Sequence, residues 1–338
     1  MLSKGAYVEV IAATVNAPGA EPRIGRVELP SRRLGETLLT VLAAPLNPLD
    51  LLIASGTFHS ARHETAYVPG SECVGVVVQS DRFAPGSVVY AESDASPTSP
   101  GAFAQQVVVS DDDILPIPDG LDPVQAAAIG NSGVAAFMPL IETAGMQAGE
   151  TVLILGATGA VGRLAVQIAH ARGAGRVIGV GRDRSALDRL ASLGVDATVE
   201  LRPDESVAAL AARLAETGAA DVILDGLYGM PFEAAVQACA RRARIVNIGH
   251  SAAPTAVLPA GLLRGKQLTL TGFAGLHTPL RDKQPALAWL WSALAEGAVH
   301  VNVKRVPLED LPLAWRGQAH SPHAKYVVVP KQPDGAAR

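Results

Sequence analysis

The sequence predicts an α/β chain of two lobes, a β-rich lobe followed by a doubly wound parallel sheet. Three observations carry this. Pro and Gly break the first third into short β-like runs. From about residue 120, strand and helix patterns alternate, the grammar of a parallel sheet covered by helices. The 338 residues, 49% hydrophobic and 18% charged, are enough for two buried cores and exclude general disorder.

In chain order, the β-like runs are 7–12, 38–44, 74–79, 87–91 and 103–109. Pro45, Pro48, Pro69-Gly70, Pro85-Gly86 and Pro100-Gly101 punctuate them, and the Ser/Asp/Pro/Thr stretch 92–100 reads as an exposed loop. Asp122-Pro123 opens a helix: Asp122 caps, and Pro123 sits where its missing N–H costs nothing. Strand 151–155, helix 160–172, strand 176–180 and helix 185–192 follow. Strands 221–225, 245–248 and 268–271 continue the sheet, with a helix over 232–240. The end returns to mixed structure, with a helix over 285–296 and a β-like run over 326–329.

Composition removes several function classes. Net charge is -4 without a basic run, which argues against nucleic acid as a partner. Cys73 and Cys239 have no neighbouring thiol, so neither a disulfide framework nor a Cys-x-x-Cys metal hairpin is expected. Residues 1–5 lack the apolar run of a signal peptide. No uninterrupted apolar stretch reaches the roughly 18 residues of a membrane span. The expectation is a soluble, cytoplasmic chain with no membrane partner.

The sharpest local signal is Gly156-Ala157-Thr158-Gly159-Ala160-Val161-Gly162, between strand 151–155 and the next helix. Small residues let the backbone approach a pyrophosphate, and the helix N-terminus offers unpaired N–H groups. Gly162 allows close packing of helix on strand. Ala157 breaks the strict G-x-G-x-x-G pattern, but the strand–turn–helix context marks a Rossmann dinucleotide site with Thr158, Gly159, Ala160 and Val161 as contacts. An NAD site places an acid roughly 20 residues after the loop. Here the strand ends Gly181-Arg182-Asp183-Arg184. Gly181 leaves room where the acid would sit, and Arg182 can face a 2′-phosphate, which favours NADPH. Asp183 is the objection, as a partial neutraliser or the acid itself. Arg184 is a second phosphate candidate or a solvated helix-start residue.

An ordered series of motifs then resembles the medium-chain dehydrogenase/reductase family, in its zinc-independent quinone oxidoreductase-like branch, over nearly the whole chain. Asn47-Pro48-Leu49-Asp50 with Ser55-Gly56 is similar to the family's N-P-x-D segment. Pro69-Gly70-Ser71-Glu72 with Gly75-Val76-Val77 is similar to P-G-x-E-x-x-G-x-V, and Gly101-Ala102-Phe103-Ala104-Gln105 to G-A-[FY]-A-E. The 145–150 connection and Ala324-Lys325-Tyr326-Val327-Val328 complete the series. The resemblance implies a GroES-like β-rich catalytic domain over 1–125, completed by 276–338, and a Rossmann domain over 126–275. The active site is then expected in a cleft between them.

Zinc-containing relatives carry Cys-His where this chain has Asn47-Pro48, and Gly-His-Glu where it has Gly70-Ser71-Glu72. No cysteine-rich lobe follows residue 90, and His59 and His63 share a short loop without helix context, so no metal is expected. The chemistry implied is hydride transfer from nicotinamide to a quinone or enone, a small electrophilic substrate. By resemblance Asn47 lies near the nicotinamide as a substrate hydrogen-bond donor, or is simply an Asx-turn before Pro48; Asp50 is a second catalytic candidate that more simply orders that turn. Many quinone-reductase relatives have a Tyr where this chain has Phe58, which leaves the proton donor open. Gly249-His250-Ser251, Phe273-Ala274, Asn131 and Lys325 complete the cofactor candidates. For His250 and Asn131 an ordinary loop or helix role is an equal reading, and for Phe273 simple packing is the alternative.

Short-chain reductases share a similar loop, but no Tyr here has Lys four residues later. Two rivals stay open: an enoyl-thioester reductase of polyketide or fatty acid assembly, and a weakly catalytic NADPH-binding sensor. An edge strand near 268–271 implies, by resemblance, a homodimer.

Overall fold

The computed structural model describes residues 8–57, 66–320 and 323–331. Phe58, His59 and His63 lie outside the described residues. The chain divides into two compact units, 1–131 with 279–291 and 301–338, and 132–278 with 292–300.

The first unit is built on a seven-stranded sheet. Its order is Val303–Pro307, Lys325–Val329, Glu36–Pro45, Glu72–Gln79, Val88–Glu92 and Ile114–Pro116, with Gln106–Ser110 pairing the long 36–45 strand. The first two strands run parallel and the other pairings are antiparallel. A hairpin of Val8–Thr14 and Arg23–Leu29 forms a separate two-stranded sheet. The core is mainly aliphatic, with Leu39, Val41, Leu46, Val77 and Val107 around Phe103. The run expected over 103–109 begins as a strand only at Gln106. Before it, the N–H groups of Gly101, Ala102 and Phe103 donate to the carbonyls of Val68, Gly70 and Pro69 at 2.8, 2.8 and 3.0 Å. That backbone is committed to the 68–70 turn rather than to the ladder.

The second unit holds six parallel strands in the order Ala197–Glu200, Arg176–Gly181, Thr151–Leu155, Val222–Asp225, Arg244–Asn247, Thr269–Gly272. This is the doubly wound order 3-2-1-4-5-6, and the winding reverses between strands 151–155 and 222–225. Crossover helices Ala160–Ala171, Val207–Glu216 and Gly229–Ala238 carry buried leucine, alanine and valine faces. Thr269–Gly272 is an edge strand, and all four of its residues are exposed.

Two expected helices differ in extent. The 185–192 helix is an α-turn, Arg184–Asp188, followed by a 3-10 turn, Arg189–Leu193, closed by left-handed Gly194. The 285–296 helix is Leu280–Ala295 with Pro285 inside it. Pro285 forfeits one helical hydrogen bond, but Lys283 anchors the preceding turn on Glu92 at 2.7 Å. One helix, Pro123–Thr143, is long and apolar enough to cross a bilayer, and 78% of its apolar window is buried within the protein.

Candidate functional site

In the second unit the expected nucleotide residues gather at the carboxyl edge of the parallel sheet. Strand 151–155 enters the Gly156 loop, where the N–H groups of Gly156 and Ala157 both donate to Val180 O at 3.0 and 2.9 Å. Gly159 is the N-cap of the 160–171 helix and offers no side-chain cap, so Ala160, Val161 and Gly162 begin the helix with uncapped N–H groups. A Cβ on Gly162 would fall 2.6 Å from Ala157 Cα, so only glycine lets helix and loop meet. This cradle suits a pyrophosphate.

Gly181 ends the adjacent strand facing buried Thr158, and a Cβ there would lie 2.9 Å from Thr158 Cγ2. A side chain at this position would press on that of Thr158. Asp183 instead caps the next helix: its Oδ1 accepts from Ala186 N at 3.0 Å and Ser185 Oγ at 2.8 Å. Arg182 is exposed, and Arg184 pairs with Asp188 at 2.9 Å on the surface. At the neighbouring strand ends, Gly249 O accepts from Asn247 Nδ2 at 2.8 Å, and Ser251 Oγ donates to Gly226 O at 3.0 Å. His250 is exposed, Phe273 half-buried and Ala274 exposed, beyond the edge strand.

Composition gives no hint of a second carboxylate here. Asp225, the last residue of strand 222–225, is fully buried. Its Oδ1 accepts from Leu227 N and Tyr228 N at 2.9 and 2.8 Å, and its Oδ2 from Asn247 Nδ2 at 2.9 Å. Burial raises its pKa, and those three donors oppose the shift.

In the first unit, Asn47, Asp50 and Lys325 converge. Asn47 precedes the helix Pro48–Ala54, and the Asp50 carboxylate accepts from Asn47 N at 2.7 Å and Ser71 N at 3.1 Å. Asn47 Nδ2 donates to Glu72 Oε1 at 2.8 Å and more weakly towards Pro45 O at 3.4 Å, while its Oδ1 accepts from Lys325 Nζ. The ammonium and the carboxylate fix which way the amide points. Lys325, assigned to the cofactor by resemblance, thus lies at 2% exposure in this cluster. Asn131 joins through its backbone, its N–H donating to Glu72 Oε2 at 2.7 Å.

The cluster extends through residues that no sequence motif singled out as site residues. Tyr90 OH donates to Glu72 Oε2 at 2.8 Å and approaches Glu92 Oε1 at 3.3 Å. Lys283 holds Glu92 at 2.7 and 2.8 Å. The signal was a carboxylate in an apolar strand, Glu72 before Cys73-Val74-Gly75-Val76-Val77. Burial pushes Asp50 up to about 6, against the lowering effects of the Asn47 N–H and the Lys325 charge. Burial also lowers the Lys325 pKa, with Glu72 and Asp50 opposing. Among the described residues, no three His, Cys, Asp or Glu side chains are grouped to hold a metal.

Two families match the chain: "Alcohol dehydrogenase GroES-like domain" over residues 33–119 and "Zinc-binding dehydrogenase" over 160–292. Quinone oxidoreductase of Sus scrofa is 28% identical over 300 residues, 87% of this chain and 88% of that protein. A phenolphthiocerol/phthiocerol polyketide synthase component of Mycobacterium tuberculosis is 31% identical over 336 residues, 97% of this chain but only 15% of that much longer protein. Among solved structures, the quinone oxidoreductase of Thermus thermophilus, also determined in complex with NADPH, superposes with a TM-score of 0.79 at 28% identity, covering 94% of this chain and 99% of that one. A probable oxidoreductase of Mycobacterium abscessus gives a TM-score of 0.81 at 27% identity, covering 96% and 99%. With a glycine-bound dinucleotide loop on a 3-2-1-4-5-6 sheet, and both family matches in the expected order, the chain belongs to the medium-chain dehydrogenase/reductase superfamily, as a quinone oxidoreductase-like, NAD(P)-dependent oxidoreductase.

Proposed function

We propose that the chain is an NADPH-dependent reductase of activated acceptors, a quinone or an enone, that works without zinc. The observation that carries the cofactor choice is Gly181 against Thr158, with Arg182 exposed next to it and Asp183 engaged as a helix cap. Bound NADPH supplies the hydride. The protein's own part is to seat the pyrophosphate on the N–H groups that open the 160–171 helix and to offer Arg182 to the 2′-phosphate. Zinc independence is supported by the donor set: an amide at Asn47 and a hydroxyl at Ser71, with the Lys325 ammonium against Asn47, make a poor Zn²⁺ site. Asn47, with Asp50 ordering its turn, is the catalytic candidate, oriented by Glu72 and Lys325.

The cofactor test is Arg182→Ala. NADPH binding should weaken by about 1.5–3 kcal/mol, the worth of a charge-assisted phosphate contact, with NADH binding little changed. Equal loss of both cofactors sinks the assignment. A second reading, an enoyl-thioester reductase, is favoured by the 31% identity to a polyketide synthase component along 97% of this chain. Turnover of quinones, enones and enoyl-thioesters, each with NADPH and NADH, separates the two. Thioester turnover well above that of quinones would select the second. The exposed edge strand 269–272 supports a homodimer by strand pairing.

A further inference from the structure

Tyr90 stands on strand 88–92 with its ring fully buried, set edge-on to Trp291 at a centroid distance of 5.8 Å and an interplanar angle of 67°. A phenylalanine would pack there equally well. The hydroxyl is the part that needs a reason, because a buried polar group costs free energy unless it is bonded. Its one proton meets two carboxylates, Glu72 Oε2 at 2.8 Å and Glu92 Oε1 at 3.3 Å. Lys283, itself 3% exposed, decides between them. Its ammonium holds both Glu92 oxygens, at 2.8 and 2.7 Å, which leaves Glu72 the stronger acceptor for the phenol. Burial, with the two carboxylates adding to it, raises the Tyr90 pKa, so the phenol keeps its proton and remains a donor.

Glu72 is the junction of this chain of contacts. Its Oε2 takes Tyr90 OH from one element and Asn131 N from another, and its Oε1 faces Asn47 Nδ2 at 2.8 Å. Two donors on one oxygen stop the carboxylate from turning about its last side-chain bond, and so fix the oxygen that Asn47 meets. Every residue of the chain belongs to the first unit. Glu72, Tyr90, Lys283 and Lys325 are each 3% exposed or less. Apolar side chains of similar volume often hold a core as well as buried charges do, or better. Stability alone does not account for the arrangement.

We propose that Tyr90 is a positioning residue of the reductase site, which acts through Glu72 to fix the side-chain amide of Asn47 in the orientation used for the substrate. The proposal rests on the catalytic reading of Asn47 above. Tyr90→Phe tests it, since it removes the hydroxyl and keeps the ring.

The first measurement needs no substrate. Exchange of the Asn47 side-chain amide protons, read by NMR and identified by the signal missing from Asn47→Ala, should quicken about tenfold in Tyr90→Phe. The second is steady-state turnover of NADPH with p-benzoquinone, methyl vinyl ketone or crotonyl-coenzyme A, whichever is fastest. There kcat should fall about tenfold with both KM values within about twofold of wild type. On an Asn47→Ala background the same substitution should change kcat by less than about twofold, because the group it positions is gone. Unchanged amide exchange overturns the positioning. An equal loss of kcat with and without Asn47 overturns it too, since the hydroxyl then acts by another route. A wild type that turns over none of the three acceptors, or an Asn47→Ala variant with the wild-type kcat, means that the reading of the site fails first and this proposal with it.

Discussion

Glu72 is 1% exposed and accepts from the side chains of Asn47 and Tyr90 and from the backbone of Asn131. Replacing it with Gln keeps the shape but turns an NH₂ group towards one of these donors and removes a charge facing Lys325. Glu72→Gln should therefore cost about 2–4 kcal/mol, read from denaturant unfolding. Asp50 makes a prediction of opposite sign. Its folded pKa, about 6, lies above the ordinary 3.8. Its protonated form is thus favoured by folding: the stabilisation is complete below the ordinary value and lost as pH rises through about 6. Stability should fall between pH 4 and pH 7 by on the order of 2–3 kcal/mol from this group, and Asp50→Asn should flatten that part of the profile. A variant that keeps the wild-type slope places the titration elsewhere. At this scale the sequence displayed Asn47, Asp50 and Lys325 as separate motifs. Their convergence needs strands 36–45 and 325–329 to pair, a contact some 280 residues apart in the chain that no local pattern reveals.

The 123–137 helix illustrates how an element can depend on one missing atom. A Cβ on Gly130 would meet Tyr90 Cε2 at 2.6 Å and collide with Glu72 Oε2. Alanine ordinarily favours a helix over glycine by about 1 kcal/mol. Here Gly130→Ala should destabilise the protein, by about 1–3 kcal/mol of overpacking. A raised Tm would show that the Glu72–Tyr90 pair yields. The elements best read from sequence were those with strong local chemistry: strand 151–155, and the helix opened by Asp122-Pro123, where Asp122 Oδ1 accepts from Val124 N at 3.1 Å. Arg23–Leu29 is not legible in the sequence, because most of its residues are exposed and leave no hydrophobic alternation. The Leu280–Ala295 helix runs five residues further upstream than expected because Lys283 and Glu92 hold a turn that Pro285 alone would not predict.

At the scale of the whole chain, alternation disclosed a parallel sheet, while the strand order that defines its ligand-binding edge came only from the pairings. The edge strand Thr269–Gly272 leaves Leu270 40% exposed and its outer backbone unpaired within the sheet. If it pairs with a second copy, Leu270→Pro, which removes an N–H on the side away from strand 244–247 and adds a ring, should turn a dimer into a monomer by light scattering. A wild type that is monomeric at all concentrations would reject the strand-paired dimer.

On the proposed NADPH reading, the contact between Gly181 and Thr158 also bears on how the cofactor could be changed. A carboxylate at 181, the simplest route to NADH, would meet Thr158 Cγ2 and Leu187 Cδ2 as soon as it gained a Cβ, at 2.9 and 3.2 Å. The two positions are epistatic. Gly181→Asp should therefore lower the Tm less on a Thr158→Ala background, which removes both Cγ2 and Oγ1, than on the wild type.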